Sequence, residues 1–306
     1  VGNLLDAYEN SIKDLEWMGE DTKKRALEKL GTFQTKIGYP DNPRSYKGLE
    51  ISKDKTLIEN LEASSEFDIE WEFSKLGGPV DRTEWLMTPQ TVNAYYYPSM
   101  NEIVFPAAIL QPPFFNPDAD DAVNYAGIGA VIGHEIGHGF DDQGSQFDAA
   151  GEVRDWWTDE DREEFQKRTK ALIDQYDRYS PAALDDEHKV NGALTVGENI
   201  GDLGGLTIAW KAWMKALADQ GIDSAEDAEV IDGLTAPERF FTSWARIWQG
   251  KNRDDYAVQL LAIDPHSPNE FRCNGVLANF DEFADYYNIQ PEDDLWIAPE
   301  ERVRIW

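Results

Sequence analysis

Apolar residues recur at helical spacing along most of the chain. Near the start, the stretch LLDAYENSIKDLEWM places them at Leu4, Leu5, Tyr8, Ile12 and Leu15. This spacing predicts an amphipathic helix. A second helix is predicted over DTKKRALEKLGTF, with Asp21 as its N-terminal cap, before the breaker GYPDNP. Residues 50 to 90 are predicted to form further helix that ends near KLGGPVDRTEW.

The pattern changes in the stretch VNAYYYPSMNEIVFP. Two β-prone runs flank the turn signal PSMN, which predicts a hairpin closed by Pro106. If NAYYY is an edge strand, a peptide can add to it through backbone hydrogen bonds, although an ordinary hairpin has the same pattern. The stretch AAILQPPFFNPDAD that follows is rich in proline and is expected to be irregular.

A helix with four glycines is predicted next, over DAVNYAGIGAVIGHEIGH. Each glycine costs about 0.5–1 kcal/mol relative to alanine inside a helix. We therefore expect Gly127, Gly129, Gly133 and Gly137 to allow close approach of a neighbouring part of the fold.

Three more helices complete the pattern. One follows a capping box formed by Thr158 and Asp161, one covers LTVGENIGDLGGLTIAWKAWMKAL, and one begins at Thr235 with Pro237 in its first turn. Helices dominate and one small sheet accompanies them. This pattern predicts an α+β, mostly helical fold rather than the alternation of parallel α/β proteins.

Composition excludes several classes of function. The chain has 306 residues and a net charge of −31, from 59 acidic and 28 basic residues, so we expect no nucleic-acid partner. The chain contains no run of about 18 apolar residues, so the sequence predicts no membrane-spanning segment. The single cysteine, Cys273, excludes an intrachain disulfide and is expected to be a small buried residue. The N-terminal sequence lacks the basic start and the apolar run of a signal peptide. It does not distinguish a cytoplasmic protein from an exported one.

Two of the four histidines lie in VIGHEIGHGFDD. His134 and His138 share one face of a helix and can hold one Zn²⁺, while Glu135 can reach a nearby water as general base. A third histidine of the metzincin type is excluded, because Gly144 occupies its position.

A carboxylate is the other common third ligand of a catalytic zinc. In GENIGD, Glu198 and Asp202 share one helical face. One of them can bind zinc while the other accepts the second N–H of a ligand histidine. Acids placed to interact with a helix dipole would have the same pattern.

These motifs occur in order with VNAYY, NEIVFPAAILQPPFF, DPHSPNEFRCNG and the terminal RVRIW. Together they resemble the catalytic half of the neprilysin and endothelin-converting-enzyme family of zinc metallopeptidases. The resemblance runs from about residue 10 to the C-terminus. It implies a thermolysin-like zinc peptidase domain with a small sheet and an active-site helix, one Zn²⁺ per chain and oligopeptide substrates.

The resemblance also implies a role for individual residues. The zinc ligands would be His134, His138 and Glu198. Glu135 would be the base, Asp202 the partner of His134, and His266 the stabiliser of the oxyanion. Substrate would be bound by Asn93, Ala94 and Arg272, with Phe114, Val131 and Trp248 lining an apolar specificity pocket.

Family members are usually about twice as long as this chain. We therefore expect residues 1–90 to be a helical connecting segment of an otherwise missing N-terminal cap domain, and residues 91–306 to be the catalytic domain. Val303 occupies the place of a cysteine found in animal members, which favours a bacterial-type member. Two alternatives remain: a zinc-binding fragment or binding module without activity, and an aminopeptidase of the related group. His188 matches no motif and is expected to be exposed.

Overall fold

The structure is a computed structural model that describes residues 1–306. Its helices are α1 (Gly2–Asp14), α2 (Glu20–Leu30), α3 (Leu57–Ser74), α4 (Asp121–Asn124), α5 (Ala130–Gly137), α6 (Asp159–Tyr176), α7 (Gly192–Asp219), α8 (Ala236–Ile247), α9 (Asp254–Ile263), α10 (Asn269–Leu277) and α11 (Asp281–Tyr287). Its strands are β1 (Gln34–Gly38), β2 (Tyr95–Tyr97) and β3 (Glu102–Pro106). The predicted α+β, mostly helical class is confirmed.

The start of α2 differs from the prediction. Its N-cap is Gly19, and Asp21 lies inside the first turn. No side chain caps the helix, but Asp161 accepts hydrogen bonds at this end from the N–H of Gly19 at 2.8 Å and from Oγ1 of Thr22 at 2.5 Å. Thr158 does cap α6 as predicted. The carboxylate of Asp161 therefore joins the beginnings of two helices.

The helix predicted over residues 50–90 is too long. Only α3 forms there, and none of its residues is buried. Gly77, with φ of +77°, lies just after its end, where a residue with a side chain would be strained. The sequence pattern also missed β1, which directly follows α2 and contains few apolar residues.

The predicted hairpin is confirmed as β2 and β3, which pair in antiparallel register with Tyr95 opposite Val104. The strand order is β1-β3-β2, and β1 runs parallel to β3. All residues of the central strand β3 are buried, and β2 forms an edge of the sheet. The backbone of β2 is therefore free to pair with an added chain on one side.

The glycine-bearing helix is interrupted by a π-helical turn, Tyr125–Gly129, between α4 and α5. A Cβ on Gly127 would lie 2.4 Å from the carbonyl oxygen of Phe114. A Cβ on Gly133 would lie 2.7 Å from the carbonyl oxygen of Gly205 on α7. The predicted close approach is confirmed, because α5 and α7 pack backbone to backbone at this point.

The helix predicted to begin at Thr235 is confirmed as α8, whereas α9, α10 and α11 were not predicted. Thr235 and Glu238 form a capping box at the start of α8, with Pro237 in the first turn. Cys273 is buried and free, as expected. None of the helices combines the length and the apolar composition that crossing a membrane would need.

Candidate active site

The packing of α5 on α7 brings three metal-binding groups together. His134 and His138 project from α5 and Glu198 from the second turn of α7, with one ligand atom of each within 4.8 Å of the others. Oε2 of Glu198 lies 3.1 Å from Nε2 of His134 and 3.6 Å from Nε2 of His138. Ligand atoms bound to one tetrahedral Zn²⁺ at about 2.0–2.1 Å are about 3.3–3.5 Å apart. The three atoms are therefore spaced as zinc ligands.

One oxygen of this group has no hydrogen-bond partner. Oε2 of Glu198 is buried and accepts no hydrogen bond. Buried polar atoms in native proteins nearly always have a partner. A carboxylate oxygen without one, facing the imidazoles of His134, His138 and His266, fits a metal ligand. The residues present therefore fit the ion that the sequence predicts.

Each histidine of the group is oriented by an aspartate. Nδ1 of His134 lies 2.8 Å from Oδ1 of Asp202, as expected. Nδ1 of His138 lies 2.7 Å from Oδ2 of Asp141, whose other oxygen accepts the N–H of Gly144 at 2.6 Å. Both imidazoles are thereby held with Nε2 towards Glu198. Sequence reasoning missed Asp141, although a carboxylate three residues after His138 was a usable signal.

The electrostatics of the site keep two of its carboxylates ionised. Burial opposes ionisation of Glu198, but the neighbouring imidazoles of His134, His138 and His266 hold its pKa below the usual range. Burial similarly opposes ionisation of Asp202, while Arg272 and His134 lower its pKa. These groups can therefore stay anionic and attract a cation.

Glu135 has a different environment. It is buried on α5, directly after His134 and three residues before His138. Burial raises its pKa, and the charges of His134 and His138 act in the opposite direction. A carboxylate with a raised pKa is a stronger proton acceptor, which suits a general base.

Arg272 is placed in the site by α10. Its Nε and Nη2 donate to the two oxygens of Asp202, each at 2.7 Å, and its guanidinium lies 4.2 Å from the ring centroid of Trp248. The sequence predicted a substrate contact for Arg272 but not this pairing. The bonds use one edge of the guanidinium and leave Nη1 outside the pair.

His266 lies on the loop between α9 and α10. Its Nε2 is 3.3 Å from Oε2 of Glu198, and both its Nδ1 and its backbone N–H are bonded to Oδ1 of Asp264. The next residue, Ser267, donates a buried hydrogen bond of 2.8 Å to Asn199, which follows Glu198 on α7. The loop therefore presents His266 at the metal group, as the proline-broken sequence suggested.

A cavity of about 350 Å³ opens above these groups. Its walls include every remaining residue predicted for substrate binding, namely Asn93, Ala94, Phe114, Val131 and Trp248. Tyr95 and Tyr96 of the edge strand β2 also border it. His188 lies outside the cavity, where it is half-buried and bonded to Asp185.

Comparison with known proteins agrees with this geometry. The sequence profile of peptidase family M13 matches residues 93–303. The chain belongs to peptidase family M13. A second M13 profile matches residues 1–40. The predicted resemblance is confirmed by this match.

Two curated M13 relatives align with the whole chain. Neutral endopeptidase of Lactobacillus helveticus is 38% identical over 309 residues, which span 100% of the chain and 44% of that protein. Human neprilysin is 36% identical over 315 residues, which span 100% of the chain and 41% of that protein. The chain therefore covers less than half the length of these relatives.

Solved structures from the same family share the fold. The zinc metalloprotease ZMP1 of Mycobacterium tuberculosis, in complex with an inhibitor, has a TM-score of 0.95 at 55% identity, covering 100% of the chain and 46% of that protein. PepO from Lactobacillus rhamnosis has a TM-score of 0.87 at 35% identity, covering 100% and 46% respectively. The predicted thermolysin-like zinc peptidase architecture is thereby confirmed.

Proposed function

We propose that the protein is a zinc-dependent endopeptidase that hydrolyses peptide bonds within oligopeptides. The observation that carries this proposal is the convergence of His134, His138 and Glu198 on one point of the cavity, where the buried Oε2 of Glu198 accepts no hydrogen bond. Membership of peptidase family M13 supports the same reaction class.

One Zn²⁺ would be held by Nε2 of each histidine and by Oε2 of Glu198. When bound, zinc supplies a Lewis acid that polarises a peptide carbonyl and lowers the pKa of water. Glu135, buried beside the two histidines, takes the proton of the attacking water and delivers it to the leaving amine. Asp202 and Asp141 hold the imidazoles in the tautomer that leaves Nε2 unprotonated.

His266 stabilises the oxyanion that develops during attack. Asp264 holds its Nδ1, which orients the ring with Nε2 towards the cavity. One hydrogen-bond donor to the oxyanion contributes about 3–4 kcal/mol to the transition state. Arg272 orients the substrate through a main-chain carbonyl, using the part of its guanidinium that Asp202 does not occupy.

Substrate binds as an extended chain along β2. Backbone pairing with an edge strand recognises many sequences alike, with Asn93 and Ala94 at the beginning of that edge. Phe114, Val131 and Trp248 form an apolar wall that accepts an apolar side chain next to the scissile bond. Specificity therefore comes from this wall rather than from the backbone contacts.

Residues 1–90 form the connecting segment of a cap domain, and residues 91–306 form the catalytic unit. Within the first segment, α1 packs on the catalytic unit, where Tyr8 donates to the carbonyl of Gly133 at 2.8 Å. In contrast, α3 exposes large apolar side chains, including Leu57, Ile69 and Phe73. A face of this kind is expected to be covered in the whole protein, and a cap over the cavity would limit substrates to oligopeptides.

A fluorogenic peptide blocked at its N-terminus tests the proposal. We expect cleavage at an internal bond, loss of cleavage on adding a zinc chelator, and recovery on adding Zn²⁺. Glu135→Gln should retain zinc and lose turnover by about 10²-fold or more. Cleavage of unblocked peptides alone would indicate an aminopeptidase. Zinc binding without any cleavage would indicate a binding domain.

A further inference from the structure

Lys29 on α2 is buried without an anionic partner. Its residue exposure is 1%, and its Nζ donates to three backbone carbonyls, those of Gly139 at 2.6 Å, Gly144 at 2.7 Å and Phe147 at 2.7 Å. The rings of Phe140 and Tyr96 flank it at 5.7 and 5.8 Å. A buried charge is costly unless its hydrogen bonds are satisfied, and here all three N–H groups have acceptors.

The three carbonyls belong to the loop 139–147, which follows α5. Gly139 directly follows His138, the C-cap of α5, so Lys29 meets the negative end of that helix. Gly144 connects the ammonium group of Lys29 to His138 through two further hydrogen bonds. Its carbonyl accepts from Lys29, and its N–H donates to Asp141, which in turn bonds Nδ1 of His138. An unbroken path of hydrogen bonds therefore runs from Lys29 to a predicted zinc ligand.

Lys29 is itself held from the opposite side. Its carbonyl accepts from Nδ2 of Asn101 at 3.0 Å, and Oδ1 of Asn101 accepts from the hydroxyl of Tyr96 at 2.9 Å. Asn101 is 2% exposed and has φ of +49°, a conformation that asparagine tolerates better than most residues. The β2–β3 turn thus holds the backbone of Lys29, while the loop 139–147 holds its ammonium group.

We infer that Lys29 is a positioning residue for zinc, because its ammonium group fixes the loop that holds Asp141 against His138. The inference rests on the zinc site of the proposed function and assigns to α2 a part in building it. No other residue type presents three N–H donors around a single atom at the end of a flexible chain, so the arrangement specifies lysine.

Lys29→Met tests the inference, because methionine keeps an unbranched apolar chain and removes all three donors. Burial lowers the pKa of Lys29 to about 7, although Asp141 and Asp148 favour the charged form. Zinc affinity is therefore compared at pH 6, where the ammonium group is protonated. Competition with a chelating dye should show affinity reduced about tenfold in the variant, the lower end of the range for groups that orient metal ligands.

Lys36→Met is the matched control. Lys36 lies on β1 with its side chain 13% exposed, and its Nζ bonds Glu102 at 2.7 Å and the carbonyl of Glu84 at 2.8 Å. It makes no contact with the loop 139–147 through these bonds. We expect Lys36→Met to lower the thermal unfolding temperature at least as much as Lys29→Met does, with zinc affinity unchanged.

A double-mutant cycle separates positioning from general stability. In an Asp141→Asn background the path to His138 is already weakened, so Lys29→Met should reduce zinc affinity much less than it does in the wild type. If Lys29→Met does not fold, Lys29→Gln, which retains two N–H donors, should fold and lose less affinity than Asp141→Asn. Unchanged affinity in a folded Lys29 variant, or full additivity with Asp141→Asn, would overturn the inference. Absence of zinc binding in the wild type would overturn the proposed function as well.

Discussion

Arg272 and Asp202 are joined by two parallel hydrogen bonds of 2.7 Å, and the same carboxylate accepts from Nδ1 of His134. Asp202 thus connects Arg272, the proposed substrate-binding residue, to His134, a proposed zinc ligand. Bidentate pairs of this type are strong and geometrically specific. Arg272 and His134 therefore belong to one hydrogen-bond network that is centred on Asp202.

Replacing either partner of this pair should have a distinct effect. Asp202→Asn is expected to weaken zinc binding about 10–100-fold, because the amide orients His134 less firmly than the carboxylate. Arg272→Lys keeps the positive charge but cannot donate two parallel hydrogen bonds to Asp202. We therefore expect kcat/KM to fall about tenfold with zinc still bound. Zinc titration and steady-state kinetics measure both variants. Equal zinc affinity in Asp202→Asn and wild type would contradict the role of Asp202.

Ser267 should affect turnover through His266. Ser267→Ala removes the buried bond to Asn199 and frees the loop that presents His266, so we expect kcat to fall about tenfold with little change in KM. The effect should vanish in a His266→Ala background. Ser243→Ala is the control, since it removes a similar bond of 2.8 Å to the carbonyl of Val123 on another helix. Equal losses in kcat for the two serine variants would exclude the positioning role.

Gly133→Ala tests the close packing of α5 on α7. Alanine favours helix, yet its Cβ would lie 2.7 Å from the carbonyl oxygen and 2.9 Å from the Cα of Gly205. We expect the free energy of unfolding to fall by about 1–3 kcal/mol, the usual cost of overpacking. Gly2→Ala has no atom within 4 Å of the new Cβ and should change stability little. Denaturant titration of both variants decides whether the backbones are in contact.

Cys273 should react only after unfolding. Burial raises the pKa of its thiol to about 12 from an ordinary value of 9.0. A raised pKa means that the unfolded chain releases the thiol proton first, so the contribution to stability falls as pH rises from about 9 to 12. A thiol reagent at pH 8 should label the denatured protein and spare the native one. Comparison with Cys273→Ala isolates the pH dependence, and rapid labelling of native protein would show that the thiol is accessible.

The sequence predicted the centre of the site better than its surroundings. His134, His138 and Glu198 lie on two helices whose periodicity fixes which residues share a face, so their convergence needed only the packing of α5 on α7. Asp141 bonds Nδ1 of His138 from three residues further along the chain, a spacing that could have indicated it. Lys29 instead bonds backbone carbonyls of an irregular loop, and such contacts have no periodic signature in the sequence.

The fold was predicted less well where apolar residues lack a partner in the chain. Residues 50–90 contain enough of them to suggest continuous helix, but only α3 forms and its apolar side chains are exposed. β1 was missed for the opposite reason, because it is stabilised by pairing with β3 rather than by its own composition. Tertiary pairing decides such segments, and local pattern does not.

Zinc-edge anomalous diffraction from crystals of the protein tests the central claim most directly. We predict one zinc ion bonded at about 2.0–2.2 Å to Nε2 of His134, Nε2 of His138 and a carboxylate oxygen of Glu198, with one coordination position left for water or substrate. Zinc bound elsewhere, or bound to the two histidines with Glu198 turned away, would contradict the account.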